Sequence, residues 1–127
     1  MNTKRLISLV MFGGLLLVSA PAFAHHSVAE YDMASTTTLK GTVTKFEWSN
    51  PHAYIYLQAK DDKGNMAEWS IELGSLGMLS RINWKKDTLK PGDEITVYGN
   101  RAKDGRLLVH LDKVVFANGQ EMSARVG

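Results

Sequence analysis

Between residues 38 and 116 apolar and polar positions alternate in short runs separated by turn residues, a period of two that predicts strands. Leu39, Gly41 and Val43 alternate with Lys40, Thr42 and Thr44, and the apolar face then passes to Phe46 and Trp48. A strand that changes face in mid-course contains a bulge, predicted here near Thr44-Lys45. Ser49-Asn50-Pro51 ends it in a turn. The second run is cleaner: Ala53, Ile55, Leu57 and Ala59 on one face, His52, Tyr54, Tyr56 and Gln58 on the other. Asp61 to Asn65 has hairpin chemistry, because Gly and Asn tolerate positive φ. In the third run Ala67, Trp69, Ile71 and Leu73 face inward and Glu68, Ser70 and Glu72 outward.

The period then lengthens. Gly74-Ser75 offers a cap, and Leu76, Leu79 and Ile82 fall at helical spacing before Asn83-Trp84 closes a short helix. Pro91-Gly92 fits the centre of a type II turn. The fourth strand spans Glu94 to Asn100, with Ile95 and Val97 inward. Asp104-Gly105 is a hairpin, and a fifth strand begins with Leu107, Val109 and Leu111 and changes parity to Val114 and Phe116. Three strands, a short helix and two strands is the order of the all-β OB-fold, a five-stranded Greek-key barrel. A β-sandwich of more strands is the competing architecture. Neither repeats nor a linker divide the domain, placed at residues 38–127 behind a polar arm at 25–37.

Residues 1–24 read as a cleavable signal peptide. Lys4 and Arg5 form a positive n-region, Leu6 to Ala20 an apolar run, and Ala22-Phe23-Ala24 an A-x-A cleavage site. The run is short of the ~20 residues that span a bilayer, so no stable membrane insertion is expected after cleavage. Removal of Lys4 and Arg5 takes the formal charge from +2 to zero. A neutral, exported domain has no electrostatic footprint for nucleic acid. The chain has no cysteine, which rules out disulfides, lipid attachment at a cysteine, thiol redox chemistry and thiolate metal sites.

Candidate chemistry rests on histidine. Cleavage after Ala24 gives His25 a free α-amine, which with its own ring Nδ1 chelates one ion, and His26 or His52 would add a further imidazole. Nitrogen donors of this kind suit Cu(II). The arrangement resembles the histidine brace of copper-dependent polysaccharide monooxygenases and of some copper-handling periplasmic proteins, in the N-terminal histidine and its amine alone. The alternative is a solvated end. A fully extended arm from His25 to Thr38 spans at most ~45 Å, so contact with His52 is within reach. The outward row His52, Tyr54, Tyr56 is also a candidate face for a small ligand or partner protein, or simple cross-strand packing. His110, between Val109 and Leu111, reads as structural. Glu68 and Glu72 read as a solvated face. Met33, Met66, Met78 and Met122 are scattered in sequence, and catalytic motifs are missing.

His25-His26-Ser27, Gly41-Thr42-Val43-Thr44, Trp48-Ser49-Asn50-Pro51-His52 and Leu89-Lys90-Pro91-Gly92-Asp93 together resemble a family of small exported Gram-negative proteins catalogued as a domain of unknown function. Arg101 to Gly105 is similar to its penultimate hairpin. The Trp-x-Asn-Pro-His segment is the most specific part. The resemblance implies a periplasmic location and a compact β-barrel, and puts His25, His26 and His52 at recurrent motif positions. It implies no activity. Segment 74–84 looks less helical than in that family.

The expectation is a periplasmic, non-enzymatic metal-binding protein of OB-like fold, copper being the ion and His25, His26 and His52 the ligands. The alternative is an envelope binding module that uses His52, Tyr54 and Tyr56 without metal. An accessory subunit of a periplasmic enzyme is a third reading.

Overall fold

The computed structural model describes residues 28–125. The expected signal peptide, residues 1–24, and the candidate ligands His25 and His26 lie outside them. The elements are a 3₁₀ turn at Val28–Glu30, then β1 (Thr37–Glu47), β2 (Tyr54–Lys60), β3 (Met66–Glu72), α1 (Leu76–Arg81), β4 (Glu94–Arg101), β5 (Leu108–Phe116) and β6 (Glu121–Ser123).

Strands β3, β2, β1, β4 and β5 pair in that order, and β3 meets β5 in parallel through Ser70–Leu108, Ile71–Val109 and Glu72–His110. That last pairing closes a five-stranded barrel of the OB type, and the sandwich alternative falls away. All the other pairings are antiparallel. Closure depends on the long first strand. Its upstream half pairs with β4 and its downstream half with β2, overlapping at Gly41 and Thr42. The predicted change of face is a register shift between Val43 and Lys45. Such a bulge adds twist and lets one strand serve both sides of the barrel.

The inward residues are those the alternation chose. Val43, Ile55, Leu57, Trp69, Ile71, Ile95, Val97, Val109, Leu111 and Val114 are all buried. Each large aliphatic side chain removed from water stabilises the fold by about 1.5–3 kcal/mol. Helix α1 starts where expected: Ser75 is its N-cap, accepting from the Met78 amide. It lays Leu79 into the core, and Trp84 follows, its ring 6.0 Å from Phe46 and its Nε1 donating to the Ser123 carbonyl. Asn83 takes φ 71° to leave the helix.

Two features lie outside the sequence expectation. Strand β6 pairs with β5 as a sixth strand beside the barrel. The described part of the arm, residues 28–36, is fastened to the barrel, with Tyr31 bridging Ala102, the Asp32 amide donating to the Arg101 carbonyl and the Lys103 amide to the Glu30 carbonyl. Among the described residues no helix is long and apolar enough to cross a membrane.

Candidate functional site

Glu72 stands on the outer face of β3, where alternation puts it, yet it is 2 % exposed. The expected solvated carboxylate is instead the centre of a covered cluster. The cover is Tyr31, itself buried, whose hydroxyl donates to Glu72 Oε2. A polar group so far from water needs hydrogen-bond partners, because leaving one unmet costs a large share of its solvation. Two register partners flank Glu72: Tyr54 across β2 and His110 across β5. On the other side His52 Nδ1 lies 3.5 Å from Glu72 Oε1.

These neighbours shift the titration of the cluster. Burial first, then the hydrogen bond to Glu72 and the charge there, push the Tyr31 phenol far above its ordinary range. Burial and then the Glu72 charge raise Tyr54 to about 12. His110 is pushed down by burial first and by the Arg125 charge second, which favours the neutral ring.

Hydrogen-bond partners assign the two imidazole tautomers. His52 Nδ1 is 2.9 Å from the Leu73 carbonyl, which only accepts, so Nδ1 carries the proton in the neutral ring and Nε2 keeps its lone pair. The His52 side chain is 35 % exposed. A ring held by one nitrogen and presented by the other is the usual arrangement of a metal-ligating histidine. His110 is the reverse case. Its Nδ1 is 3.2 Å from Arg125 Nη2, which only donates, so Nδ1 accepts and the proton sits on Nε2. Its ring stands 5.2 Å from that of Tyr31. His52 fits a ligand role; His110 fits the structural role expected from the sequence.

The local structure explains how His52 is held. Backbone bonds from Ala53 to the Gly74 carbonyl and from Leu73 to the Ala53 carbonyl extend the β2–β3 pairing past the strand ends, fixing the residue beside Leu73. Asn50, in the turn before it, caps the approach to α1 by accepting from the Leu76 amide. Asn50-Pro51 is a cis peptide bond.

Tyr54 and Tyr56, the other members of the outward row, are half-buried. Their rings stack 6.3 Å apart with 23° between planes, and the Tyr56 hydroxyl donates to Glu47. They have cross-strand partners of the kind that stabilise a sheet.

Sequence reasoning missed Tyr31, Glu72 and Asn100. Asn100 is buried on β4; its Nδ2 donates to the carbonyls of Asp32 and Ser35 in the arm, and its Oδ1 accepts from Arg125. The signal for Tyr31 was a lone aromatic in an otherwise polar lead-in. Among the described residues no three His, Cys, Asp or Glu side chains are grouped to hold an ion.

Fold and cluster together define a small closed β-barrel with a buried carboxyl between two tyrosines and two histidines. The chain belongs to the family of unknown function DUF6152, whose pattern matches residues 14–109. The matched span takes in His52, Tyr54 and Glu72 and stops one residue before His110. Comparison with curated proteins finds no match.

Proposed function

We propose that the protein is a periplasmic copper-binding protein without catalytic activity of its own, which buffers or delivers the ion. His25, exposed by removal of residues 1–24, supplies its α-amine and ring nitrogen, and His52 adds an imidazole through Nε2, with His26 as a further donor. The observation that carries this reading is the mooring of the arm at Tyr31 on Glu72, beside His52. Tyr31 lies six positions after His25, a reach of about 20 Å at full extension. Nitrogen donors of amine and imidazole type favour Cu(II), which also heads the divalent affinity series. A site at His52 draws its remaining donors from the arm, because the neighbouring His110 has its Nδ1 engaged by Arg125.

The alternative use of His52, Tyr54 and Tyr56 as a metal-free binding face has less support, since the two tyrosine rings pack on each other.

The test is a Cu(II) titration of chain expressed with its leader and purified after export, its first residue defined by mass spectrometry. Tight one-to-one binding with a nitrogen-rich paramagnetic resonance spectrum is expected. An alanine inserted between Ala24 and His25 moves the amine off the chelating residue and is expected to weaken binding at least tenfold. His52→Ala is expected to weaken it while leaving the His25 chelate. Equal binding by the inserted form, or a mature chain that begins elsewhere, overturns the proposal.

A further inference from the structure

Beside His110 the fold leaves a cavity of about 330 Å³, lined by Met33 of the arm, Met78 of α1, Leu111, Ala124, His110 and Arg125. Gly74 belongs to its wall for a steric reason: a Cβ there would lie 1.9 Å from the Met78 methyl, so the missing side chain lets the thioether rest against the main chain. The walls are therefore largely apolar, and two of them are methionines, which adapt their shape to what they touch. Met33 is 44 % exposed, a large apolar side chain held at the surface.

The polar end of this cavity has one character. Arg125 only donates. It gives Nη2 to Asn100 Oδ1 and to His110 Nδ1, its Nε lies against the Asp112 carboxylate, and Nη1 makes no hydrogen bond to the described residues. Because His110 accepts at Nδ1, its neutral ring carries the proton on Nε2 and donates there too. Asp112 and Glu72 are the nearby carboxylates, and neither lines the cavity. An apolar pocket of this size with a few convergent polar groups is the common form of a small-molecule site. Here those groups are N–H donors, one of them cationic, so the complementary ligand presents an anionic acceptor on an apolar body.

We infer that this cavity binds a small monocarboxylate with a short hydrocarbon chain, the carboxylate on Arg125 Nη1 and the chain between Met33, Met78 and Leu111. The site is separate from the copper ligands proposed above, and nothing in it depends on bound metal. Its polar end is already assembled: Asn100 and Asp112 hold the guanidinium before any ligand arrives, so little ordering cost accompanies binding.

The experiment is a titration of the metal-free exported protein with acetate, butanoate, hexanoate, hexanol and hexylamine, followed by calorimetry and by the methyl resonances of the methionines. Met33 and Met78 are expected to shift saturably while Met66, at the β2–β3 hairpin, stays fixed. Affinity is expected to rise from acetate to hexanoate, to exceed that for hexanol at least tenfold, and to vanish for hexylamine. Arg125→Gln is expected to erase the difference between hexanoate and hexanol, and Met78→Phe to abolish binding by filling the cavity. Equal binding of hexanoate and hexylamine, no saturation, or equal shifts at Met66 overturns the inference. Should Arg125→Gln not fold, the comparison of acid, alcohol and amine on the unmodified protein decides the matter.

Discussion

At the residue scale the telling pair is Tyr31 and Glu72, a buried hydroxyl from the arm on a buried carboxyl from the third strand. Tyr31→Phe keeps the ring over His110 and removes only the donor. Leaving that carboxyl short of a partner is expected to cost about 1–3 kcal/mol in urea denaturation. Tyr56→Phe, whose hydroxyl meets the partly exposed Glu47, is expected to change stability by less than about 0.5 kcal/mol. His110 gives a pH dependence with a defined sign. Its folded pKa lies below the unfolded value of 6.5, through burial and then Arg125. The unfolded chain therefore binds the extra proton first, so the contribution is complete above 6.5 and declines as pH falls below it. Urea midpoints of metal-free protein are expected to drop between pH 7.5 and 5.5, and His110→Asn is expected to flatten that drop. In the sequence, the outward placement of Glu72 was legible and its burial was not. A period of two says which face a residue takes, and nothing about what comes to lie on that face. The covering segment, residues 28–36, has no periodicity of its own, so its docking depends on long-range bonds to Asn100, Arg101 and Lys103.

At the element scale two glycines probe a strand register shift and the helix. Gly99 follows the shift between Tyr98 and Gly99, and a Cβ there would meet the His110 carbonyl oxygen at 2.2 Å and Val109 Cγ1 at 2.6 Å. The obstacle is backbone rather than a flexible side-chain tip. Gly99→Ala is expected to destabilise the fold by about 1–3 kcal/mol, as overpacking does. Gly77 is the opposite case, exposed in α1 with nothing within 4 Å of a notional Cβ. Gly77→Ala is expected to stabilise by about 0.5–1 kcal/mol, since alanine loses less freedom in a helix. Chemical denaturation of the pair checks both signs. The strands, the bulge near Lys45, the capped helix and the turn at Gly92 were all readable, because each is dictated by local spacing or by a residue that tolerates positive φ. Strand β6 was not, because three residues carry too little alternation to announce a strand. It exists through pairing with Lys113, Val114 and Val115, and through Trp84 donating to Ser123.

At the scale of the whole molecule, closure by the short parallel contact between β3 and β5 puts Glu72 and His110 side by side although 38 positions apart. The barrel was legible from element order; the juxtaposition was not, since it follows from which strands meet at the seam. The same seam gathers both ends of the described chain. Asn100 donates to the carbonyls of Asp32 and Ser35 and accepts from Arg125, so a single amide fastens the entry and the exit of the fold. Residues at the two ends that share a binding partner lie within side-chain reach of each other, and in that sense the polypeptide is nearly a ring. A circularly permuted gene that joins residue 125 to residue 28 through a short glycine-serine linker, and opens between Lys63 and Gly64, is expected to give a barrel with the parent's circular dichroism. The order in which a ribosome emits these strands would then be a matter of history, and the shape they reach would not depend on where reading begins.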